Sequence, residues 1–204
     1  DIDLDAIVHN FKFYKEKLSP KTKMICMVKA DGYGTGASEV AKTLQYHKCD
    51  YLAVAVAEEG VILRKQGIKL PIIVLNSEVG GFEELSNYSL EPEVYNFRIL
   101  DAFIKEAKMQ GITNYPIHIK IDTGMHRLGF TEADVPELLQ RIKSQTGVRI
   151  QSVFSHLAAS ESWNFDKFTT DQIKTFKKIA GEIEKNCHYP ILKHILNSAG
   201  IERF

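Results

Sequence analysis

A lysine at position 29 stands between an apolar run and a glycine-rich stretch. It follows Met24–Val28 and precedes Asp31–Gly36, which reads DGYGTG. A lysine held beside apolar neighbours loses hydration, so its pKa falls and its amine becomes a nucleophile for carbonyl groups. For an isolated lysine, an ammonium extended into solvent is the more common arrangement. Here the three glycines, which permit a sharp turn and close approach to a ligand, favour a functional lysine.

Further polar side chains follow three later strand-like runs. They are Lys120 and Asp122 at the end of the fifth run, Arg127 in the loop behind it, His156 after the sixth, and Asn197 and Ser198 after the seventh. Functional residues of parallel α/β proteins gather where strands end and the following loops begin. We therefore expect these side chains and Lys29 to converge at one mouth of a barrel.

Each of these residues also has a plainer interpretation. Gly124 and Gly129 frame Arg127, which suits a positioned anion-binding fork, although an exposed charge would show the same pattern. The Asn197–Gly200 stretch (NSAG) suits an anion site at a helix start, and equally a simple N-cap. His156 has no second histidine at metal-ligand spacing, so we predict no metal. A general base, a ring-stacking partner and a hydrogen-bonded structural histidine all remain open for it.

Strand-like and helix-like runs alternate along the chain. The strand-like runs cover residues 24–30, 51–55, 71–75, 90–96, 116–121, 149–155 and 190–196, and a helix over 5–18 precedes them. Such alternation with short connections predicts a parallel sheet. Eight units close a (β/α)8 barrel in about 250 residues. Seven units in 204 residues therefore predict one domain over residues 1–204, an incomplete (β/α)8 TIM-type barrel. An open doubly wound sheet has the same order of elements and is the alternative.

Composition excludes several classes of function. Lys+Arg and Asp+Glu balance at 26 each, so we expect no nucleic-acid partner and no membrane partner. No apolar run of about 18 residues and no signal-peptide pattern occurs. The glycine-rich stretch matches neither a Walker A nor a G-x-G-x-x-G pattern, so it does not indicate a nucleotide site. Three scattered cysteines, Cys26, Cys49 and Cys187, indicate a reducing cytoplasm.

The motifs together resemble those of alanine racemase. Val28–Gly36 is similar to the family's cofactor-lysine signature and Asp122–Gly129 to its second signature. Asp3–Ile7, Ser155–Leu157 and Asn197–Ala199 resemble further family segments in the same order. The resemblance spans nearly the whole chain, and its motifs are specific as a set rather than singly.

The resemblance implies pyridoxal 5′-phosphate as cofactor, bound to Lys29 as a Schiff base. Lys29 would then also serve as one of two acid/base groups. Tyr33 and Ser198 would contact the cofactor phosphate, with Asn197 beside them. His156 would pack against the pyridine ring.

The second signature has implied roles in substrate binding. Arg127 would hydrogen-bond the phenolic oxygen of the cofactor and help to orient the substrate, alanine. Met125 matches a backbone position near the substrate carboxylate. Lys120 matches a position that can be carbamylated, which would turn a cation into an anion able to hold Arg127. Unmodified, Lys120 would repel Arg127.

The sequence also departs from the family pattern. His126 stands where many members have glycine. An arginine after the seventh strand, an eighth strand and a C-terminal β domain with a catalytic tyrosine are absent up to Phe204. Racemisation by two bases needs a proton acceptor on each face of the carbanion. We therefore expect the parent to be a homodimeric, cytoplasmic racemase that makes D-alanine for peptidoglycan, and this fragment to convert L- to D-alanine negligibly.

Three alternatives remain at this point. The first is a racemase or deaminase for another amino acid. The second is a non-catalytic, single-barrel pyridoxal-phosphate-binding protein. The third is a racemase domain fused to a cell-wall ligase.

Overall fold

Strands and helices alternate through all 204 residues of the computed structural model. The strands are β1 (Ile25–Met27), β2 (Tyr51–Val54), β3 (Ile72–Val74), β4 (Glu91–Val94), β5 (Tyr115–Lys120), β6 (Val148–Phe154) and β7 (Leu192–His194). The helices are α1 (Leu4–Lys17), α2 (Lys29–Gly34), α3 (Ala37–Tyr46), α4 (Ala57–Lys65), α5 (Phe82–Asn87), α6 (Phe97–Met109), α7 (Val135–Lys143), α8 (Asp166–Asn186) and α9 (Ser198–Arg203). Seven strand–helix units result, as the alternation in the sequence predicts.

Every neighbouring pair of strands is parallel, and the strand order follows the chain from β1 to β7. A doubly wound sheet reverses its strand order at a switch point, whereas a (β/α)8 barrel adds each strand beside the last. The consecutive order therefore excludes the doubly wound alternative. The fold class is the incomplete (β/α)8 barrel that the sequence predicts.

The chain divides into two compact units, Asp1–Pro92 and Glu93–Phe204. In the first unit, β2 and β3 are buried along their whole length. Their apolar runs fit parallel strands that are covered on both faces. Helix α1 begins at its N-cap Asp3, whose carboxylate accepts hydrogen bonds from the backbone N–H groups of Asp5 and Ala6.

In the second unit, alternate residues of β5 face opposite sides of the strand. Ile117 and Ile119 are fully buried, and the polar His118 and Lys120 on the other side are buried as well. The pairing with β6 shifts register between Ile117 and His118. Such bulges redirect side chains and occur beside active sites. The second unit therefore carries a row of polar side chains inside an otherwise apolar core. No helix in the chain combines the length and apolarity needed to cross a membrane.

Candidate functional site

Lys29 opens a helical turn that is left-handed. Ala30, Asp31, Gly32 and Tyr33 all have φ between 51° and 63° and ψ between 36° and 52°. The sequence predicts a glycine-rich loop here, and the structure corrects that to an ordered turn. Three of the four residues are not glycine, and each costs about 1–2 kcal/mol in this conformation. Strain of this kind persists only where the surroundings fix it, and it clusters at functional sites.

Backbone and side-chain hydrogen bonds hold this turn in place. The Gly32 N–H donates to the Val28 carbonyl over 2.9 Å, and the Gly36 N–H donates to the Asp31 carbonyl over 2.9 Å. The Asp31 carboxylate also accepts the Ala37 N–H at 2.8 Å, which joins the turn to the start of α3. Asp31 therefore has a structural role in the motif that the sequence singles out.

Glu59, in the first turn of α4, fixes the backbone beside Lys29. Its Oε1 accepts the Ala30 N–H at 2.6 Å and its Oε2 accepts the Ala55 N–H at 2.7 Å. One carboxylate thus ties the end of β1 to the end of β2. This role has no clear signal in the sequence, because acids in the first turn of a helix, here Glu58 and Glu59, are ordinary.

Lys29 and Tyr33 present polar ends without a partner in the chain. Lys29 is half-buried, and Tyr33 is 65% exposed. Neither the Lys29 amine nor the Tyr33 hydroxyl takes part in a hydrogen bond or ion pair within the protein. Both groups are therefore available to a ligand of the first unit.

In the second unit, Asp122 organises the loop that carries Arg127. Its Oδ1 accepts the N–H groups of Gly124 at 2.9 Å and His126 at 3.0 Å, and its Oδ2 lies 3.0 Å from the His126 ring. Desolvation raises the pKa of Asp122, but these hydrogen bonds outweigh it and lower the pKa overall. Asp122 is therefore an ionised loop anchor.

Backbone pairing closes the same loop on β5. The Phe130 N–H donates to the Lys120 carbonyl and the Asp122 N–H to the Phe130 carbonyl, both at 2.9 Å. Gly129 makes this closure possible at φ +131°, since a Cβ would lie 2.5 Å from the Asp122 nitrogen. His126 adopts φ 56°, a left-handed conformation that favours glycine. Arg127 is exposed on this loop and has no partner within the chain.

Lys120 forms a buried ion pair with Glu93 of β4. The Lys120 Nζ lies 3.7 Å from the Glu93 Oε1 and 4.5 Å from the centre of the Phe154 ring. Burial raises the pKa of Glu93 to about 7, although Lys120 and Arg127 oppose the rise. Burial also lowers the pKa of Lys120, opposed by Glu93 and reinforced by Arg127. Sequence reasoning missed Glu93, whose only signal was an acid inside a strand-like run.

A polar chain continues across β5, β6 and β7. The His118 Nδ1 lies 2.6 Å from the Ser152 Oγ, and that hydroxyl lies 3.3 Å from the His194 Nε2. The His194 ring stacks on Phe154 at 4.8 Å. Desolvation, with the nearby charges of His118 and Lys120, lowers the pKa of His194 to about 3, although part of the residue stays accessible to solvent. His194 is therefore neutral at physiological pH.

Gln172, a buried residue of α8, holds the loop that follows β6. Its Nε2 donates to the His156 carbonyl at 3.1 Å and to the Thr123 hydroxyl at 3.2 Å. Its Oε1 accepts the Ala158 N–H at 3.0 Å. The amide thus connects the loop after β6 to the loop after β5. His156 itself is half-buried at the head of its loop.

Asn197 is the N-cap of α9, which is one of the two roles that the sequence predicts for this motif. Its Oδ1 accepts the Gly200 N–H at 2.9 Å and the Ser160 hydroxyl at 2.7 Å. Ser198, the next residue, is exposed and its hydroxyl has no partner in the chain. Asn197 therefore fixes the backbone from which Ser198 extends.

The predicted site residues all follow the carboxyl ends of strands. Lys29 and Tyr33 belong to the first unit, and Lys120, Met125, Arg127, His156, Asn197 and Ser198 belong to the second. Parallel strands in consecutive order, with polar side chains following their carboxyl ends, define the class of the protein as an α/β barrel domain.

The chain belongs to the family described as alanine racemase, N-terminal domain, whose model matches residues 2–204. It is 38% identical over 205 residues to an alanine racemase of Thermodesulfovibrio yellowstonii, covering 98% of this chain and 54% of that protein. It is 36% identical over 209 residues to alanine racemase 2 of Caldanaerobacter subterraneus, covering 98% of this chain and 52% of that protein.

Solved structures agree with this assignment. An alanine racemase of Clostridium difficile 630 superposes with a TM-score of 0.92 at 33% identity, covering 98% of this chain and 55% of that one. Another structure of that protein is a complex with cycloserine and gives the same TM-score. The chain spans about half the length of the curated relatives it matches.

Proposed function

We propose that this chain is the pyridoxal-phosphate-binding part of a racemase that interconverts L- and D-alanine. The proposal includes the cytoplasm as its location, a homodimer as its assembly and peptidoglycan synthesis as the use of its product. The observation that carries it is the left-handed turn that begins at Lys29. A strained backbone fixed by Glu59 and Asp31 fits a lysine whose amine must be held in one position.

The available polar groups fit the chemistry of this cofactor. The cofactor has an aldehyde, a phosphate and a phenolic oxygen, which call for an amine, hydroxyl donors and a cation. The amine of Lys29, the hydroxyls of Tyr33 and Ser198, and the guanidinium of Arg127 are without partners in the chain. We assign them to those three groups in that order. Asn197 then holds Ser198 in place.

Once bound, the cofactor supplies an electron sink for the negative charge left when alanine loses its α-proton. The chain's own contribution is to hold the reactants and move the proton. The Lys29 Nζ exchanges the α-proton on one face of the substrate, and inversion needs a second acid/base group on the other face. Arg127 and the backbone at Met125 orient the substrate, and the His156 ring packs against the ring of the cofactor. His194 is neutral and therefore adds no further cation to the buried row.

Covalent labelling tests the assignment of Lys29. The chain is mixed with pyridoxal phosphate and reduced with borohydride, and its peptides are analysed by mass spectrometry. We expect the pyridoxyl group on Lys29, and loss of the visible absorbance band in Lys29→Ala. Lys12→Ala, which changes an exposed lysine of α1, should keep the band. A full band in Lys29→Ala, or a label confined to other lysines, would contradict the proposal.

A further inference from the structure

The carboxylate of Glu93 is buried and incompletely satisfied. Glu93 is 2% exposed and Lys120 is 8% exposed. Their closest atoms, Lys120 Nζ and Glu93 Oε1, are 3.7 Å apart, which is an ion pair but too long for a hydrogen bond. The Glu93 Oε1 has no hydrogen-bond donor at all. A buried acceptor without a donor is costly, so this oxygen calls for a further partner.

Arg127 adds a second positive charge to the surroundings of this pair. Its charge lowers the pKa of Glu93 and that of Lys120. Its guanidinium is exposed and donates no hydrogen bond within the chain. With two cations in the surroundings, an anion beside Lys120 is favoured.

Carbamylation of Lys120 would be one source of that anion. In this reaction the neutral Lys120 nitrogen attacks the carbon of carbon dioxide and forms an N–C bond. One C=O electron pair moves to oxygen, and the nitrogen loses a proton to solvent. The product is a carbamate anion beside Glu93. Two anions this close in a buried site disfavour each other, so a carbamate and an ionised Glu93 exclude one another.

We propose that Glu93, rather than a carbamate, is the anion beside Lys120, and that this ion pair keeps Lys120 as an unmodified ammonium. Glu93 is then a positioning residue for Lys120 and does not itself touch the substrate. This inference rests on the proposed function, because the family resemblance behind that function is what implies a carbamate on Lys120. It differs from the modification that the family resemblance implies for Lys120.

Carbon-13 NMR of the chain in labelled bicarbonate, well above pH 7, tests the proposal directly. We expect no carbamate resonance in the wild-type chain. In Glu93→Gln, the loss of the carboxylate removes both the ion pair and the repulsion, so a carbamate resonance should appear. It should disappear again when Lys120→Gln is added. Glu93→Asp, which keeps the negative charge, should give no resonance.

Two results would overturn the proposal. One is a wild-type resonance that Lys120→Gln abolishes, since the lysine would then be carbamylated beside Glu93. The other is the absence of a resonance in both wild type and Glu93→Gln, since Glu93 would then not be what prevents the modification. Where Glu93→Gln fails to fold, the wild-type measurement still decides whether Lys120 is carbamylated.

Borohydride labelling of Lys29 separates this test from that of the proposed function. A labelled Lys29 together with a wild-type carbamate contradicts the role of Glu93 alone. An unlabelled Lys29 contradicts the proposed function and leaves the carbamate result unaffected.

Discussion

At the scale of single residues, the sequence identified candidate binding residues. It did not identify the residues whose hydrogen bonds and ion pairs position them. Lys29 stands out because a glycine-rich stretch follows it, and Arg127 because Gly124 and Gly129 frame it. Glu59 and Glu93 do not stand out, because acids in a helix or on a strand are common. Their roles depend on which N–H groups and cations lie opposite them, and only the folded backbone determines that.

The Glu59 carboxylate offers a direct test of how the turn at Lys29 is held. In Glu59→Gln, one acceptor becomes an NH2 group that faces a backbone N–H of Ala30 or Ala55. We expect a loss of about 1 kcal/mol in the free energy of unfolding, measured with urea, because either the exposed Ala30 N–H or the half-buried Ala55 N–H loses its charged acceptor. Borohydride labelling of Lys29 should fall in parallel.

The neighbouring Glu58 provides the matched control. Glu58 is exposed, has the same charge and lies in the same helical turn. Glu58→Gln should therefore leave both stability and labelling close to wild type. Equal losses in the two variants would mean that the negative charge at the start of α4 matters and the specific hydrogen bonds do not.

At the scale of elements, the order and type of strands and helices followed from periodicity. Strands β2 and β3, for example, are apolar runs bounded by turn residues, and those runs were long enough to locate. The backbone angles inside α2, by contrast, could not be predicted from periodicity. Glycines at 32, 34 and 36 indicate freedom to turn, but left-handed φ values at Ala30 and Tyr33 require tertiary contacts.

The loop that carries Arg127 depends on Gly129. In Gly129→Ala, the new Cβ would meet the Asp122 nitrogen at 2.5 Å and the Ile121 carbonyl carbon at 2.7 Å, and both are backbone atoms that cannot rotate away. The positive φ adds strain. We expect a loss of about 3 kcal/mol, measured by urea denaturation, with weaker binding of pyridoxal phosphate because Arg127 is displaced.

Gly181 lies in the same unit as Gly129, and there we expect a glycine-to-alanine change to stabilise the chain. It lies inside α8, and a Cβ there meets nothing within 4 Å. Gly181→Ala should therefore stabilise the chain by up to about 1 kcal/mol, as alanine generally does in a helix interior. A Gly129→Ala variant as stable as Gly181→Ala would show that the loop tolerates a different closure.

At the scale of the whole molecule, the fold class was predictable because seven alternating units leave few architectures. The choice between a barrel and a doubly wound sheet was not, since it depends on which strand edges pair. The division into two compact units at Pro92 and Glu93 had no sequence signal either, because the boundary falls inside β4. Glu93 thus lies at that boundary as well as in the buried row.

The titration of Glu93 should appear in the pH dependence of the chain's overall stability. Folding raises its pKa from 4.5 to about 7, so the folded chain holds this proton more tightly than the unfolded chain. The resulting stabilisation is complete below pH 4.5 and is lost as the pH rises to about 7. Relative to Glu93→Gln, the wild-type chain should lose on the order of 3 kcal/mol across that window in urea denaturation.

The size and sign of that loss distinguish burial from charge pairing as the dominant influence on Glu93. Pairing with Lys120 and Arg127 alone would lower the pKa, so wild type would gain stability over Glu93→Gln as the pH rises through the acidic range. Glu78→Gln, which removes one exposed carboxylate, controls for a general effect of charge. A rising difference between wild type and Glu93→Gln would contradict the dominance of burial and mean that cations hold Glu93 ionised in the acidic range too.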